Sequence, residues 1–372
     1  MQRITARAAD EFATISRRTL IKSLAAGVPI AALGGSRVLP ALAAAEVDLP
    51  APQYVETNAI RMAVYEAGKG LPVVLCHGFP ELAYSWRHQL PALASAGYHA
   101  LAPDQRGYGL TEQPAQIDAY TIVHLCNDLV GLLDAKGIKK AVFCGHDWGG
   151  IVVWMMPLLH PDRVAGVIGV NTPLMRRTPV PPVQLLRQIR GDDNYIVAFQ
   201  QPGVADKALS ADVRKTFTLL MRRGGLFNAE AFAKLPPDAP ERKFQLLKML
   251  AAPVESYTGE VFLTPRELDF FVDTYTKTGF TGGINWYRNI DRNWELTKDL
   301  EYKVNVPSLY VGAADDVVLP PSSANGMEHL IADLEKTTIA DCGHWTQQEK
   351  PEEFNRVAID WLNRKFGSAA KT

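Results

Sequence analysis

Short apolar runs alternate with longer amphipathic stretches through the first half of the chain. The apolar runs lie at residues 71–76, 98–104, 141–144 and 164–170. Runs of this length predict buried strands. Helical periodicity extends from Thr121 to Leu133, with Gly137 just beyond it, and another helix is predicted from Ile151 onward. Strands that alternate with helices in this way indicate a parallel sheet covered by helices on both faces.

The pattern changes after residue 173. Residues 174–299 are mostly helical in periodicity and contain several clusters of Pro and Gly. Strand patterns resume at residues 306–311 and 336–339, and an amphipathic helix follows from Pro351 to Phe366. We therefore predict one α/β core, formed by residues 46–173 and 300–372, with residues 174–299 inserted as a helical cap.

The first 43 residues differ from the rest. Arg17 and Arg18 precede a mildly apolar stretch rich in Ala and Gly, and residues 41–43 have the small-residue pattern of a cleavage site. The segment resembles a twin-arginine export signal, which predicts an exported, periplasmic protein. The alternatives are a membrane anchor, which needs about 20 strongly apolar residues, and a basic tail. Without use of the signal the protein would be cytoplasmic, and no stable membrane insertion is expected.

Composition and charge narrow the class of protein. Apolar residues make up 47 % and charged residues 21 %, as in soluble globular proteins, so disorder is excluded for most of the chain. Without residues 1–43, which hold six basic and two acidic residues, the net charge of −1 becomes −5. Nucleic acid is therefore not expected as a partner. The four cysteines lack the paired spacing of a zinc site and are expected to be buried thiols.

One short motif carries candidate chemistry. Residues 141–151 combine a strand, the turn Gly145-His146-Asp147-Trp148-Gly149 and the start of a helix. This arrangement resembles the nucleophile elbow of the α/β-hydrolases, with Asp in the position where Ser is commoner. The helix N-terminus favours negative charge and helps to keep Asp147 ionised. The alternative is a loop in which Asp147 only caps the helix, and His146 is expected to be structural.

Three further features favour the hydrolase interpretation. His77-Gly78-Phe79-Pro80 follows the first core strand, where a backbone N–H of Phe79 would join that of Trp148 in an oxyanion hole. Asp315 and Asp316 follow a late strand, and His344 follows the last strand. The order of nucleophile, acid and histidine is that of the α/β-hydrolases.

From about Tyr54 to Leu362 the sequence resembles the epoxide hydrolases of the α/β-hydrolase fold, most closely the soluble type. Besides the motifs above, the block Gly283-Ile284-Asn285-Trp286-Tyr287-Arg288-Asn289 is the most specific match. The resemblance implies that Tyr287 and a second cap tyrosine, Tyr195, hold the epoxide oxygen. It also selects Asp316, rather than Asp315, as the acid that orients His344.

The implied reaction has two stages. Asp147 attacks an epoxide carbon and forms an ester, and water activated by His344 then cleaves that ester to release a vicinal diol. A serine nucleophile would leave an ether that the enzyme could not hydrolyse. Neither a metal nor an organic cofactor is expected. The substrate is expected to be an apolar epoxide, and the oligomeric state is left open, a homo-oligomer included.

Two other functions use the same scaffold. A haloalkane dehalogenase would use the same Asp, His and acid, with an indole such as that of Trp148 as a halide donor. The paired cap tyrosines and the His77–Pro80 block argue against it. A non-enzymatic receptor would bind ligand without turnover and would have a damaged triad, whereas all three triad residues are present in this sequence.

Overall fold

A mostly parallel sheet runs through the part of the chain that the computed structural model describes, residues 48–224 and 228–367. The predicted export signal at residues 1–43 lies outside these residues and stays a prediction. Within the described ranges, no helix is long and apolar enough to cross a membrane.

Ten strands are found in the described residues. They are β1 (Gln53–Thr57), β2 (Ile60–Ala67), β3 (Pro72–Cys76), β4 (His99–Pro103), β5 (Ala141–His146), β6 (Val164–Val170), β7 (Arg222–Arg223), β8 (Glu260–Val261), β9 (Ser308–Ala313) and β10 (Leu334–Ile339). Eight of them form one sheet in the order β1-β2-β4-β3-β5-β6-β9-β10. The six from β4 to β10 in that order are parallel, whereas β1 and β2 are antiparallel.

The mostly parallel sheet is confirmed, and all six apolar runs form strands. The antiparallel strands β1 and β2 were not predicted. Strand β1 lies at the sheet edge with mostly exposed side chains. It therefore carries no apolar run by which the sequence could mark it.

The helices of the described residues complete the layers. They are α1 (Gln89–Ser95), α2 (Ile122–Ala135), α3 (Trp148–Leu159), α4 (Pro182–Arg190), α5 (Tyr195–Ala198), α6 (Val204–Ser210), α7 (Val213–Leu220), α8 (Ala229–Ala233), α9 (Leu246–Ala251), α10 (Pro265–Thr278), α11 (Thr281–Arg288), α12 (Ile290–Leu296), α13 (Thr346–Glu349) and α14 (Pro351–Phe366). Helix α3 begins three residues earlier than predicted, immediately after Asp147.

Side chains of each strand alternate between two apolar layers. Along β3, Val74 packs with α2 and α3 on one face, and Val73 and Leu75 pack with α1 and α14 on the other. This alternation is the two-residue period of a strand. Because both faces are covered, the strands read as continuous apolar runs in the sequence.

The segment between β6 and β9 is mostly helical, from α4 to α12, with β7 and β8 forming a short antiparallel pair. Its helices touch the loops of the sheet. Arg87 donates to Glu267 of α10 at 2.7 Å, and Trp286 Nε1 of α11 donates to the carbonyl of Arg106 at 3.0 Å. The division into core and cap at residues 174 and 299 stays a prediction.

A buried ion pair fixes the loop at residues 104–109, against which α11 packs. Arg106 donates to Asp128 of α2 through Nε at 2.7 Å and through Nη2 at 2.6 Å, and both side chains are almost fully buried. Asn58 adds a hydrogen bond to the same carboxylate at 2.8 Å. The loop at residues 104–109 therefore has a structural role.

We expect Asp128→Ala to lower the free energy of unfolding by about 3–5 kcal/mol, because it leaves the Arg106 guanidinium buried without its partner. Chemical denaturation measures the change. Asp269→Ala is the matched control, because it removes an exposed ion pair with Arg214 and should cost no more than about 1 kcal/mol. Equal losses in the two variants would contradict the structural importance of the buried pair.

Candidate active site

The turn between β5 and α3 places Asp147 at the carboxyl end of the central strands. Asp147 is the N-cap of α3, with φ 50° and ψ −120°, and its side chain makes no capping hydrogen bond. The alternative of a simple capping aspartate is therefore wrong. A left-handed backbone is rare for a residue other than Gly and turns this side chain away from its own helix. The turn packs so closely on its neighbours that it needs glycine at positions 145 and 149. A Cβ at Gly145 or Gly149 would collide with neighbouring backbone.

Two backbone N–H groups hold the carboxylate of Asp147. Phe79 N donates to Oδ1 at 2.8 Å, and the N–H of Trp148 lies at the same carboxylate and helps to lower its pKa. Gly78 lies directly against Asp147, where a Cβ would collide with the Asp147 side chain. The N–H groups predicted to form an oxyanion hole thus both lie at the carboxylate of Asp147.

The loop carrying Phe79 is fixed by a buried histidine. Gln105 N donates to His77 Nε2 at 3.1 Å, and Gln105 Nε2 donates to the carbonyl of His77 at 2.6 Å. Burial lowers the pKa of His77 to about 4, so its imidazole is neutral. Pro80, joined to Phe79 by a cis peptide bond, lines the space in front of Asp147. His77, Gly78 and Pro80 therefore support the N–H of Phe79.

His344 lies between two carboxylates. Its Nδ1 is 3.0 Å from Oδ2 of Asp316, and its Nε2 is 3.8 Å from Oδ2 of Asp147. Asp316 also accepts hydrogen bonds from Asn171 Nδ2 at 2.7 Å and from two backbone N–H groups, at residues 318 and 319. Asp315 instead binds Asn228 at 3.0 Å, away from the histidine.

Charges around His344 determine its protonation. Burial alone would lower the pKa of His344, but the carboxylates of Asp316 and Asp147 outweigh burial and raise it to about 9. Burial also raises the pKa of Asp147, although His344, His146 and the two N–H donors lower it. The helix N-terminus therefore helps to ionise Asp147 without overcoming the effect of burial. A more basic carboxylate is a better nucleophile.

A buried ionic network lies beneath these groups. His146 Nδ1 is 2.7 Å from Glu81 Oε2, and His146 Nε2 is 2.7 Å from the carbonyl of His344. Interaction with His146 outweighs burial and lowers the pKa of Glu81 to about 2, so Glu81 is ionised. Because a carboxylate and a carbonyl both only accept, His146 donates from both nitrogens and is an imidazolium.

Tyr195 and Tyr287 come from different helices and meet opposite Asp147. Their ring centroids are 5.7 Å apart, and their hydroxyl groups are close enough for Tyr287 to affect the pKa of Tyr195. Tyr195 opens α5, capped by Asn194, and its N–H donates to the carbonyl of Phe244 at 2.9 Å. The rings of Trp148 and Tyr287 are in edge contact, with centroids 5.1 Å apart. Burial, followed by the neighbouring charge of Asp147, raises the pKa of Tyr195, so its hydroxyl remains a donor.

Glycines bring α11 close enough to present Tyr287. A Cβ on Gly283 would come within 2.7 Å of the Tyr108 hydroxyl and 2.8 Å of the Phe79 ring. The Phe79 and Tyr287 rings are in edge contact, with centroids 5.3 Å apart. The helix that carries Tyr287 is thus packed directly on the loop that carries the Phe79 N–H.

Two cavities meet at these residues. The larger has a volume of about 400 Å³ and the smaller about 110 Å³. Both are lined by Asp147, Tyr195, Phe244, Tyr287 and Val318, and the smaller one also by His344. A molecule with a reactive centre at Asp147 could therefore extend a long substituent one way and a short one the other way.

The predicted site residues thus converge, and several of their partners were missed. Glu81, Asn171 and Glu349 were not predicted, although Glu81 follows the His77–Pro80 block directly. Glu349 accepts from Gly343 N at 3.0 Å and from Trp345 N at 2.9 Å, the two N–H groups that flank His344. The contacts of Glu81 with His146 and of Asn171 with Asp316 span 65 and 145 residues, so spacing in the sequence does not reveal them.

The cysteines and metal donors add nothing to the site. All four cysteines lie buried as free thiols, as expected. Within residues 48–224 and 228–367, no three His, Cys, Asp or Glu side chains gather in a way that could hold a metal ion.

Comparisons with known proteins agree with this geometry. A family model described as the alpha/beta hydrolase fold matches residues 72–351. Epoxide hydrolase A of Mycobacterium tuberculosis is 45 % identical over 326 residues, which cover 84 % of this chain and 97 % of that protein. Bifunctional epoxide hydrolase 2 of Rattus norvegicus is 40 % identical over 318 residues, covering 84 % of this chain and 55 % of that longer protein.

A solved structure of an epoxide hydrolase is also similar to this chain. The crystal structure of Epoxide Hydrolase A from Mycobacterium thermoresistibile is similar with a TM-score of 0.74 at 43 % sequence identity. The match covers 84 % of this chain and 98 % of that chain.

We expect the imidazole of His344 to titrate near pH 9 in NMR spectra, and Asp316→Asn to lower its pKa by removing the adjacent charge. Because the pKa is raised on folding, the protonated imidazole stabilises the fold fully below about pH 6.5. That stabilisation is lost as pH rises through 9. Asp315→Asn is the control and should leave the titration unchanged, whereas a shift equal to that of Asp316→Asn would contradict the assignment.

Proposed function

Because this chain belongs to the epoxide hydrolases of the α/β-hydrolase fold, we propose that it converts an epoxide and water to a vicinal diol through a covalent ester on Asp147. One observation carries this proposal. Two protonated tyrosines, Tyr195 and Tyr287, lie with the nucleophile Asp147 where the two cavities join. The tyrosines supply hydrogen-bond donors, and the carboxylate supplies an electron pair.

In the first step Oδ2 of Asp147 attacks one epoxide carbon. Oδ1 is already engaged by Phe79 N–H at 2.8 Å, which leaves Oδ2 as the free oxygen. The bond between that carbon and the ring oxygen breaks, and the oxygen takes the electron pair. Tyr195 and Tyr287 donate to the developing alkoxide, which they can do because the pKa of each hydroxyl is raised.

In the second step His344 takes a proton from water, and the hydroxide attacks Cγ of the ester. Formation of the ester removes the charge of Asp147, one of the charges that raise the pKa of His344. The imidazole is then more readily neutral and can act as a base. Negative charge collects on Oδ1, to which Phe79 N–H already donates at 2.8 Å, and the N–H of Trp148 lies at the same carboxylate. Loss of one such donor typically costs about 2.7–4 kcal/mol. Collapse breaks the bond between Cγ and the substrate oxygen, and that oxygen takes the proton held by His344. The second proton of the attacking water passes to the alkoxide that the tyrosines hold, which releases the diol and restores the carboxylate of Asp147.

The alternatives fit this geometry less well. In a haloalkane dehalogenase the indole of Trp148 would face a halide, whereas here it packs edge-on against the Tyr287 ring, with centroids 5.1 Å apart. A receptor without activity predicts a damaged triad, whereas His344 is 3.0 Å from Asp316 and 3.8 Å from Asp147.

We expect Tyr287→Phe and Tyr195→Phe each to lower kcat/KM for styrene oxide by about tenfold to a hundredfold, since each removes a hydrogen bond to a developing charge. Diol formation followed by chromatography measures the loss, and the double variant should lose more than either single variant.

Tyr257→Phe is the matched control. Its hydroxyl donates only to backbone carbonyls at residues 250 and 252, and it lines neither cavity. Wild-type diol formation by the double variant would contradict the role of the tyrosines. Halide release from a chloroalkane, without diol formation from an epoxide, would contradict the proposed function.

A further inference from the structure

A buried carboxylate binds the loop that carries His344. This loop lies between β10 and the short helix α13, and Glu349 is the last residue of that helix. Glu349 is only 8 % exposed. Its Oε2 accepts from Gly343 N at 3.0 Å, and its Oε1 accepts from Trp345 N at 2.9 Å. One carboxylate therefore holds the N–H groups of the residues immediately before and after His344.

Further contacts complete this hold on the loop. The backbone N–H of Glu349 donates to the carbonyl of Trp345 at 2.8 Å, and His146 donates to the carbonyl of His344 at 2.7 Å. A Cβ on Gly343 would come within 3.0 Å of Oε1 of Glu349, so a larger residue there would crowd the carboxylate. The backbone is thus fixed at three consecutive residues, 343–345.

The charge of Glu349 is not neutralised by a basic side chain of another element. Within residues 48–224 and 228–367 Glu349 forms no ion pair with lysine or arginine, whereas the buried Asp128 faces Arg106. A buried carboxylate without such a partner is costly. Burial raises the pKa of Glu349, whereas the two N–H groups and the charge of His344 lower it. The carboxylate and the protonated imidazole therefore stabilise each other.

The position of this loop determines what His344 can do. Its Nδ1 lies 3.0 Å from Oδ2 of Asp316, and its Nε2 lies 3.8 Å from Oδ2 of Asp147. A general base must lie within hydrogen-bond reach of the water that it deprotonates, and a displacement of about 1 Å can lower a rate about a hundredfold. A group that fixes the backbone around His344 therefore affects its use as a base.

We propose that Glu349 is a positioning residue for His344 in the second step of the reaction. Its carboxylate fixes the loop so that one imidazole nitrogen faces Asp316 and the other faces the water that attacks the ester. The inference rests on the proposed function. Because Asp147 attacks the epoxide without a general base, Glu349 is needed for cleavage of the ester and not for its formation.

The test measures the two steps separately in Glu349→Gln. The enzyme is mixed with styrene oxide and quenched with acid at intervals, and mass spectrometry of the intact protein follows the Asp147 ester as it forms and decays. The amide has the shape of the carboxylate, but its NH₂ group cannot accept from an N–H. Ester cleavage should slow by about tenfold to a hundredfold, the effect of one lost charge-assisted hydrogen bond. Ester formation should keep its wild-type rate, so the ester accumulates.

Two further variants keep the result interpretable. Glu349→Asp retains the charge and two accepting oxygens on a shorter side chain, so it should cleave the ester faster than Glu349→Gln and more slowly than the wild type. Glu352→Gln is the matched control, since Glu352 is exposed in the first turn of α14. Both of its rates should equal those of the wild type. Should Glu349→Gln fail to fold, slower cleavage with normal formation in Glu349→Asp decides in favour of the proposal.

The outcomes separate the positioning role from the function. Wild-type ester cleavage in both Glu349→Gln and Glu349→Asp would overturn the positioning role, while ester formation would still support the proposed function. Equal slowing of formation and cleavage in the Glu349 variants would also overturn it, because that result means a general loosening of the site. Absence of both ester and diol from wild-type enzyme with styrene oxide would overturn the proposed function and the positioning role with it.

Discussion

The left-handed backbone of Asp147 is the constraint on which the site depends. A residue in this conformation typically costs about 1–3 kcal/mol and persists only where the surroundings enforce it. Here Thr172 Oγ1 donates to the carbonyl of Asp147 at 2.8 Å, and α3 packs so closely on β3 that a Cβ at Gly149 would collide with the carbonyl of Cys76. The strain turns the carboxylate toward Phe79 N–H, His344 and the two tyrosines.

Buried charge then links the loops that surround this turn. Glu81 accepts from Gly78 N at 3.0 Å and from the His146 imidazolium at 2.7 Å, and His146 donates to the carbonyl of His344. One network thus fixes the oxyanion-hole loop, the residue before the nucleophile and the histidine loop. Tyr275 of α10 donates to the carbonyl of Glu81 at 3.0 Å, which joins the helical segment to the same network.

The parallel core could be predicted because strands buried on both faces are continuous apolar runs. Asp147, Asp316 and His344 could be predicted because they follow those strands in short motifs, whereas Tyr195 and Tyr287 came from the resemblance to a known family. What the sequence did not reveal depends on contacts between distant residues. Strand β1 lacks an apolar run, and Asn171, which follows β6, contacts Asp316, which follows β9. The hydrogen-bond partners of His146 are likewise set by the fold. The net rise in the pKa of Asp147 was also missed, because burial is a property of the folded chain.

The central claim is that Asp147 forms a covalent ester. A single turnover in water enriched in the heavy oxygen isotope, with enzyme in excess over styrene oxide, tests it most directly. Because the attacking water adds to Cγ of Asp147, the account predicts that the label enters the Asp147 carboxylate, detected by mass spectrometry of the peptide, and that the first diol is unlabelled. Label in that first diol, with an unlabelled Asp147, would mean direct hydration and would contradict the account.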